Sequence, residues 1–201
     1  MAKLYRASEA HTIISRRYQL PELWESFFGY MYRDTRYLVK GAEGTRKSTF
    51  MLKVADMCGK MGRVLYVLAE EKLYSGTVQK REKHARVNLA RVDYLETPTY
   101  EEVYETLQNG DYQFCIIDSV NMLETDEVDQ MKIMQLWEHF RIVFFYVVQM
   151  KKDYKEYRGS AALRHYVDCV IETSVDNGAY TATIGGKNRM RRDKHTDTMN
   201  L

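Results

Sequence analysis

Apolar side chains in this chain come in short, dense runs separated by longer stretches with helical spacing. RVLYVLA (residues 63–69), YQFCII (residues 112–117) and IVFFYVV (residues 142–148) are nearly continuous in apolar residues, as strands buried on both faces of a parallel sheet are. RYLVK (residues 36–40) is a further strand, opening onto a Gly-bearing loop and then a helix from Lys47 to about Lys60 that Gly59 and Gly62 bracket. Residues 77–88 are polar and helix-compatible, and residues 92–95 form a short strand. Thr99 and Glu102 make a capping box for a helix that closes near Asn109-Gly110. Residues 127–140 predict one helix with Val128, Met131, Met134, Leu136 and Trp137 on one side. A short helix over 161–166 follows. Strands over 167–172 and 180–184 are then joined through Asp176-Asn177-Gly178, a hairpin-type turn. The alternation predicts an α/β domain with a mostly parallel central sheet, helices on both faces and a C-terminal antiparallel hairpin.

Composition narrows the class. At 201 residues the chain suits one three-layer domain with a real core and is too short for two. The longest apolar run cannot cross a bilayer, and residues 1–14 lack a signal-peptide segment. Cys58, Cys115 and Cys169 are odd in number and far apart, so buried free thiols are expected, not disulfides or a zinc site. These features point to a cytoplasmic protein with no membrane partner. The net charge of +2 gives no whole-molecule reason to bind nucleic acid. Basic residues cluster at 151–158 and 187–194, and the ordinary meaning of such runs is a solvated surface. We divide the chain into an aromatic N-terminal arm, residues 1–35 (Trp24, Phe27, Phe28, Tyr30), and a core, residues 36–201, ending in a basic tail. The arm reads equally as an oligomerisation element or a covering helix.

The chemistry gathers at strand ends, where ligands of open α/β sheets sit. Residues 41–48 read GAEGTRKS, followed by Thr49. Gly41, Lys47 and Ser48 meet the phosphate-loop pattern G-x-x-x-x-G-K-[ST], with Glu43, Gly44, Thr45 and Arg46 completing the turn. Such a loop turns backbone N–H groups and a helix N-terminus toward a phosphate. Lys47 would reach the β- and γ-phosphates and Ser48 would hold Mg²⁺. Arg46 stands where the pattern has Gly, so its side chain either points away from the phosphates or contacts them. FCIID places Asp118 at a strand end as a second metal group. Glu70-Glu71 and Gln149 end two more strands. A carboxylate there can polarise water and an amide can sense a phosphate; the plainer reading is loop acids and a solvated turn residue.

In this order, GAEGTRKST, RVLYVLAEE, FCIIDS, FFYVVQ, YRGSAALRHYVDCVIE and GGKNRMRR resemble the RecA-like ATPase core, most of all the RadA recombination ATPases and DnaB-type replicative helicases. The likeness covers residues 36–192. It implies a three-layer RecA-like P-loop NTPase fold and ATP with Mg²⁺. It also implies Lys47 and Glu70 as catalytic groups, with Glu71 as neighbour of the base, and Gln149 as the link between phosphate state and a DNA-binding loop. KNR at 187–189 resembles a RadA motif whose basic residues reach the nucleotide of the adjacent subunit. Lys187 and Arg189 thereby become trans-acting candidates, and the chain a homo-oligomer, as hexameric ring or filament; a basic surface tail is the other reading.

By position, KKDYKEYRG matches the second DNA-binding loop of the family. Lys151, Lys152, Lys155 and Arg158 would neutralise phosphates of single-stranded DNA, and Tyr154 and Tyr157 would stack on bases. Asp153 and Glu156 oppose this, and a plain polar loop remains open. Three departures from the family stand out: no Cys cluster precedes the phosphate loop, no protease-like domain follows the core, and the loop after Asp118 (residues 119–126) is short. Met190 and Arg191 also replace the family's Phe and Gly. The expected function is a RecA/RadA-like ATPase acting on single-stranded DNA in recombination, repair or replication. The alternatives are a nucleotide-binding regulatory or assembly module with little hydrolysis, and a small-molecule kinase, which the segment at 157–172 fits less well.

Overall fold

A computed structural model of the chain describes Arg6 and residues 16–150, 163–190 and 196–201. A small ribbon, β1 (Arg17–Tyr18) and β2 (Met31–Tyr32), flanks helix α1 (Glu22–Phe28). Then follow β3 (Arg36–Gly41), α2 (Lys47–Gly59), β4 (Val64–Leu68), α3 (Thr77–Ala85), β5 (Val92–Glu96), α4 (Tyr100–Asn109) and β6 (Phe114–Asp118). The chain continues through α5 (Gln130–Met134), α6 (Leu136–Phe140), β7 (Val143–Gln149), α7 (Leu163–Tyr166), β8 (Cys169–Asp176), β9 (Ala179–Asn188) and β10 (Asp197–Asn200). Among the described residues the main sheet has eight strands in the order β10-β9-β8-β3-β7-β6-β4-β5. From β8 to β5 all neighbours run parallel; β9 and β10 turn antiparallel at one edge.

Strand alternation divides the core into two layers. Tyr37, Val39, Val64, Tyr66, Phe114, Ile116, Phe145 and Val147 face α1 and α2. Leu38, Leu65, Val67, Cys115, Ile117, Phe144 and Tyr146 face α4 to α7. Both faces are covered, which is why these strands read as continuous apolar runs. Residues of the N-terminal segment join the first layer. The buried Phe28 ring meets Tyr37 edge-on at 5.1 Å and stacks on Trp24 at 5.6 Å between centroids.

Several sequence expectations hold. Thr99 and Glu102 form a reciprocal capping box. Asn177 and Gly178 both adopt positive φ (48° and 82°), as a two-residue hairpin turn of primed type demands. Cys58, Cys115 and Cys169 are buried and free, and burial pushes all three thiols up, Cys169 to about 12. Among the described residues no helix is long and apolar enough to cross a membrane.

Others need correction. The single helix expected over 127–140 is two short ones. It begins only at Gln130 because the Asp129 side chain accepts from the Lys132 amide at 2.7 Å and caps the helix there. The terminal hairpin is longer than its apolar residues suggested, since backbone pairing carries β8 to Asp176 and β9 to Asn188. Residues 197–200, read as tail, pair with β9 as an edge strand.

Candidate functional site

The carboxyl ends of β3, β4, β6 and β7 open on a pocket of about 320 Å³ lined by the phosphate-loop residues with Glu70, Glu71, Arg81, Asp118, Ser119 and Gln149. The loop from Gly41 to Ser48 is tightly wound. A Cβ on Gly41 would lie 2.2 Å from Thr173 Oγ1 and 2.7 Å from Thr45 Oγ1, so only glycine lets β3 run this close to β8. Thr45 and Thr173 share a hydrogen bond of 2.7 Å that fixes the loop to the sheet. Gly44 has φ 78° and open space on its Cβ side. Helix α2 then starts at Lys47, and its N-cap carries no side-chain hydrogen bond. The first amides of a helix have no intrahelical partner and carry its positive dipole end. Such a start is suited to an anion.

Lys47 is only 9% exposed. Its ammonium donates to the carbonyls of Gly41 and Ala42 at 2.9 and 2.7 Å, lying across the loop it would serve. Burial lowers its pKa, against the attraction of Asp118, Glu70 and Glu43.

Arg46 adopts φ 63°, ψ 29°, the left-handed region in which glycine is the usual occupant. This explains the Gly of the general pattern at this position. The arginine side chain leaves the loop. Its guanidinium lies over the Tyr180 ring at 3.7 Å and donates to the Leu201 carbonyl at 3.5 Å. Of the two courses left open by the sequence, the structure shows the outward one.

Strand parity places Asp118. It continues the Phe114–Ile116 face of β6, the face on which α2 packs, so its carboxylate reaches the start of that helix. Tyr66 donates to Asp118 Oδ2 at 3.0 Å. Burial raises the Asp118 pKa, and hydrogen bonds from Ser48 and Tyr66 pull it back. Gln149 pairs with Gly41 in the register of β7 and β3, and its side-chain amide donates to Glu70 Oε2 at 2.9 Å. Glu71 is held differently, by both terminal nitrogens of Arg81 at 2.6 and 2.7 Å.

The arrangement suits a metal-bound polyphosphate. Ser48 and Asp118 offer the hard oxygen donors that Mg²⁺ takes in small number. The buried Ser119 hydroxyl in the same pocket has no hydrogen-bond partner among the described residues. Sites of three or more His, Cys, Asp or Glu side chains that could hold a metal by themselves are absent among the described residues.

The structure thus brings together Gly41, Glu43, Gly44, Thr45, Lys47, Ser48, Thr49, Glu70, Asp118 and Gln149, with Arg46 at the rim. Lys187 and Arg189 are elsewhere. Asn188 pairs with Cys169 at the start of β8. Arg189 lies 3.7 Å from Asp168, which is itself bound by Arg36 at the start of β3. Lys187 donates to the Arg164 carbonyl. Burial lowers its pKa, with the nearby Arg189 acting in the same direction. Both basic residues sit at the amino ends of the strands, the length of β3 away from the pocket. Lys151, Lys152, Tyr154, Lys155, Tyr157 and Arg158 lie outside the described residues. Sequence reasoning missed Tyr66 and Arg81. Tyr66 reads as one more core residue of an apolar strand, and nothing in the polar spacing of α3 marks Arg81.

No protein-family model matches the chain. It is 26% identical over 156 residues to the DNA repair protein RadA of Campylobacter jejuni, covering 71% of this chain and 34% of that protein. It is 29% identical over 151 residues to RadA of Treponema pallidum, covering 69% and 32%. The chain thus spans about a third of the length of these relatives. Among solved structures, the flagellar accessory protein FlaH of Methanocaldococcus jannaschii superposes with a TM-score of 0.69 at 15% identity, covering 92% of this chain and 94% of that one. A KaiC-like protein of Pyrococcus horikoshii superposes with a TM-score of 0.64 at 15% identity, covering 93% and 94%. The fold is the RecA-like P-loop fold, and the chain is similar to RadA.

Proposed function

We propose that this chain binds ATP with Mg²⁺ and hydrolyses it, as a RecA/RadA-like ATPase that acts on single-stranded DNA in recombination, repair or replication. The observation that carries the reading is the convergence of four strand ends on one pocket. There the phosphate loop faces Asp118, and Glu70 is tied to Gln149. In this reading the loop amides and the start of α2 hold the β-phosphate. Lys47 leaves the Gly41 and Ala42 carbonyls for the phosphate oxygens, and Ser48 and Asp118 hold the metal. Bound Mg²⁺ supplies charge neutralisation at the phosphates. Glu70 accepts the proton of an attacking water. The Gln149 amide, bonded to that carboxylate, shifts when Glu70 turns to the water at the terminal phosphate, and passes the change into the segment after β7.

That segment begins at Met150 and carries Lys151, Lys152, Tyr154, Lys155, Tyr157 and Arg158, the residues assigned to single-stranded DNA. RadA relatives are named as DNA repair proteins, which supports this assignment. Lys187 and Arg189, remote from their own chain's pocket, are assigned to the pocket of a neighbouring copy in a ring or filament. ATP turnover measured with and without single-stranded DNA tests the reading. Turnover is expected to rise severalfold with DNA and to vanish in Lys47→Ala. Unchanged turnover across DNA and RNA would remove the nucleic-acid role.

A second reading, a nucleotide-binding assembly or regulatory module with little turnover, is favoured by the short loop after Asp118 (residues 119–126) and by the fold likeness to a flagellar accessory protein. Tight ATP binding with negligible hydrolysis, under all nucleic-acid conditions, distinguishes it.

A further inference from the structure

Glu70 and Glu71 are neighbours of identical chemistry at the same strand end, yet their partners differ in kind. Glu70 accepts from the neutral amide of Gln149 through one oxygen. Glu71 has both oxygens bound by the guanidinium of Arg81, an arginine on α3 that lines the same pocket. The pair is sheltered, with Arg81 18% and Glu71 31% exposed at the side chain, so solvent screens it less than a surface pair. A carboxylate with both oxygens forked to arginine can orient a water only by breaking one of two charge-assisted hydrogen bonds. The same carboxylate without its partner would leave a negative charge facing a pocket built for polyphosphate.

We propose that Arg81 is a positioning residue for Glu71. The ion pair withdraws Glu71 from the chemistry, leaves Glu70 as the one acting carboxylate, and makes the pocket tolerant of the extra charge of a nucleoside triphosphate over a diphosphate. This rests on the nucleotide-binding reading above. Arg81 acts through Glu71 and not by touching the phosphates. The distinction has a consequence: deleting the Glu71 charge repairs the loss of Arg81.

The experiment measures affinity calorimetrically for a non-hydrolysable ATP analogue and for ADP, each with Mg²⁺. It uses wild type, Arg81→Gln, Glu71→Gln and the double variant, with melting temperatures recorded alongside. Arg81→Gln is expected to weaken the ATP analogue by about tenfold and ADP by less, since repulsion scales with charge and distance. Glu71→Gln, which leaves the Arg81 cation facing the pocket, is expected to bind at least as tightly as wild type, and the double variant to recover to within about threefold of wild type, the non-additivity of a coupled pair. Equal weakening in Arg81→Gln and the double variant would make Arg81 a direct phosphate contact and overturn the proposal. So would an Arg81→Gln variant that binds both nucleotides normally. Absence of nucleotide binding by wild type overturns the functional reading itself. If Arg81→Gln does not fold, Arg81→Lys keeps the charge without the fork. Its smaller deficit is expected to disappear on adding Glu71→Gln, and a deficit that persists overturns the pairing.

Discussion

Arg46 shows how one residue can break a pattern while keeping its geometry. The turn into α2 needs a left-handed backbone at this position, and a non-glycine residue there costs about 1–2 kcal/mol. Stacking on Tyr180 returns about 0.5–1 kcal/mol, and arginine also orders the unfolded chain relative to glycine by about 0.4–1 kcal/mol. The terms nearly cancel. Arg46→Gly is therefore expected to shift unfolding free energy by less than about 1 kcal/mol and to leave nucleotide affinity intact, as read by denaturant unfolding and calorimetry. A tenfold loss of affinity would show that the guanidinium turns inward to the phosphates. The residues whose type suits the chemistry were legible in the sequence, Lys47 and Ser48 at the start of α2 through the phosphate-loop pattern, and Asp118, Glu70 and Gln149 because short apolar runs locate the strand ends. Tyr66 and Arg81 were not legible. Their roles depend on reach across the sheet and between elements, where spacing along the chain carries no signal.

Among the elements, the parallel strands and α2 were readable because burial on two faces leaves an unbroken apolar run and a phosphate loop has a fixed length. The capping box of α4 was equally plain, its two hydrogen bonds joining residues three apart. Thr99→Ala should cost about 1 kcal/mol and lower the melting temperature by about 2–4 °C. Nucleotide affinity should not move, since α4 packs on the face opposite α2. A loss of affinity in that variant would mean the two faces of the sheet are coupled. The β10 strand escaped notice because DTMN pairs through its backbone, with alternately exposed side chains that leave no apolar run. The interruption between α5 and α6 escaped because the apolar spacing of residues 128–137 runs smoothly across it.

In the molecule as a whole, one sheet separates two chemistries. Glu70, Glu71, Asp118 and the loop before α2 occupy its carboxyl end, while Arg36, Lys187 and Arg189 gather around Asp168 at its amino end. The likeness of KNR at 187–189 to the RadA motif is the ground on which the second is proposed to serve a neighbouring copy. The pocket at the carboxyl end is the centre of the proposed function, and a comparison of binding with turnover tests it most directly. Affinity for Mg-ATP and the hydrolysis rate are measured for wild type, Lys47→Ala and Glu70→Gln. Lys47→Ala is predicted to lose binding. Glu70→Gln is predicted to bind ATP as wild type does while its turnover falls by about 10²–10⁴-fold, the worth of a general base. Undiminished ATP binding by Lys47→Ala would contradict a phosphate site at this loop.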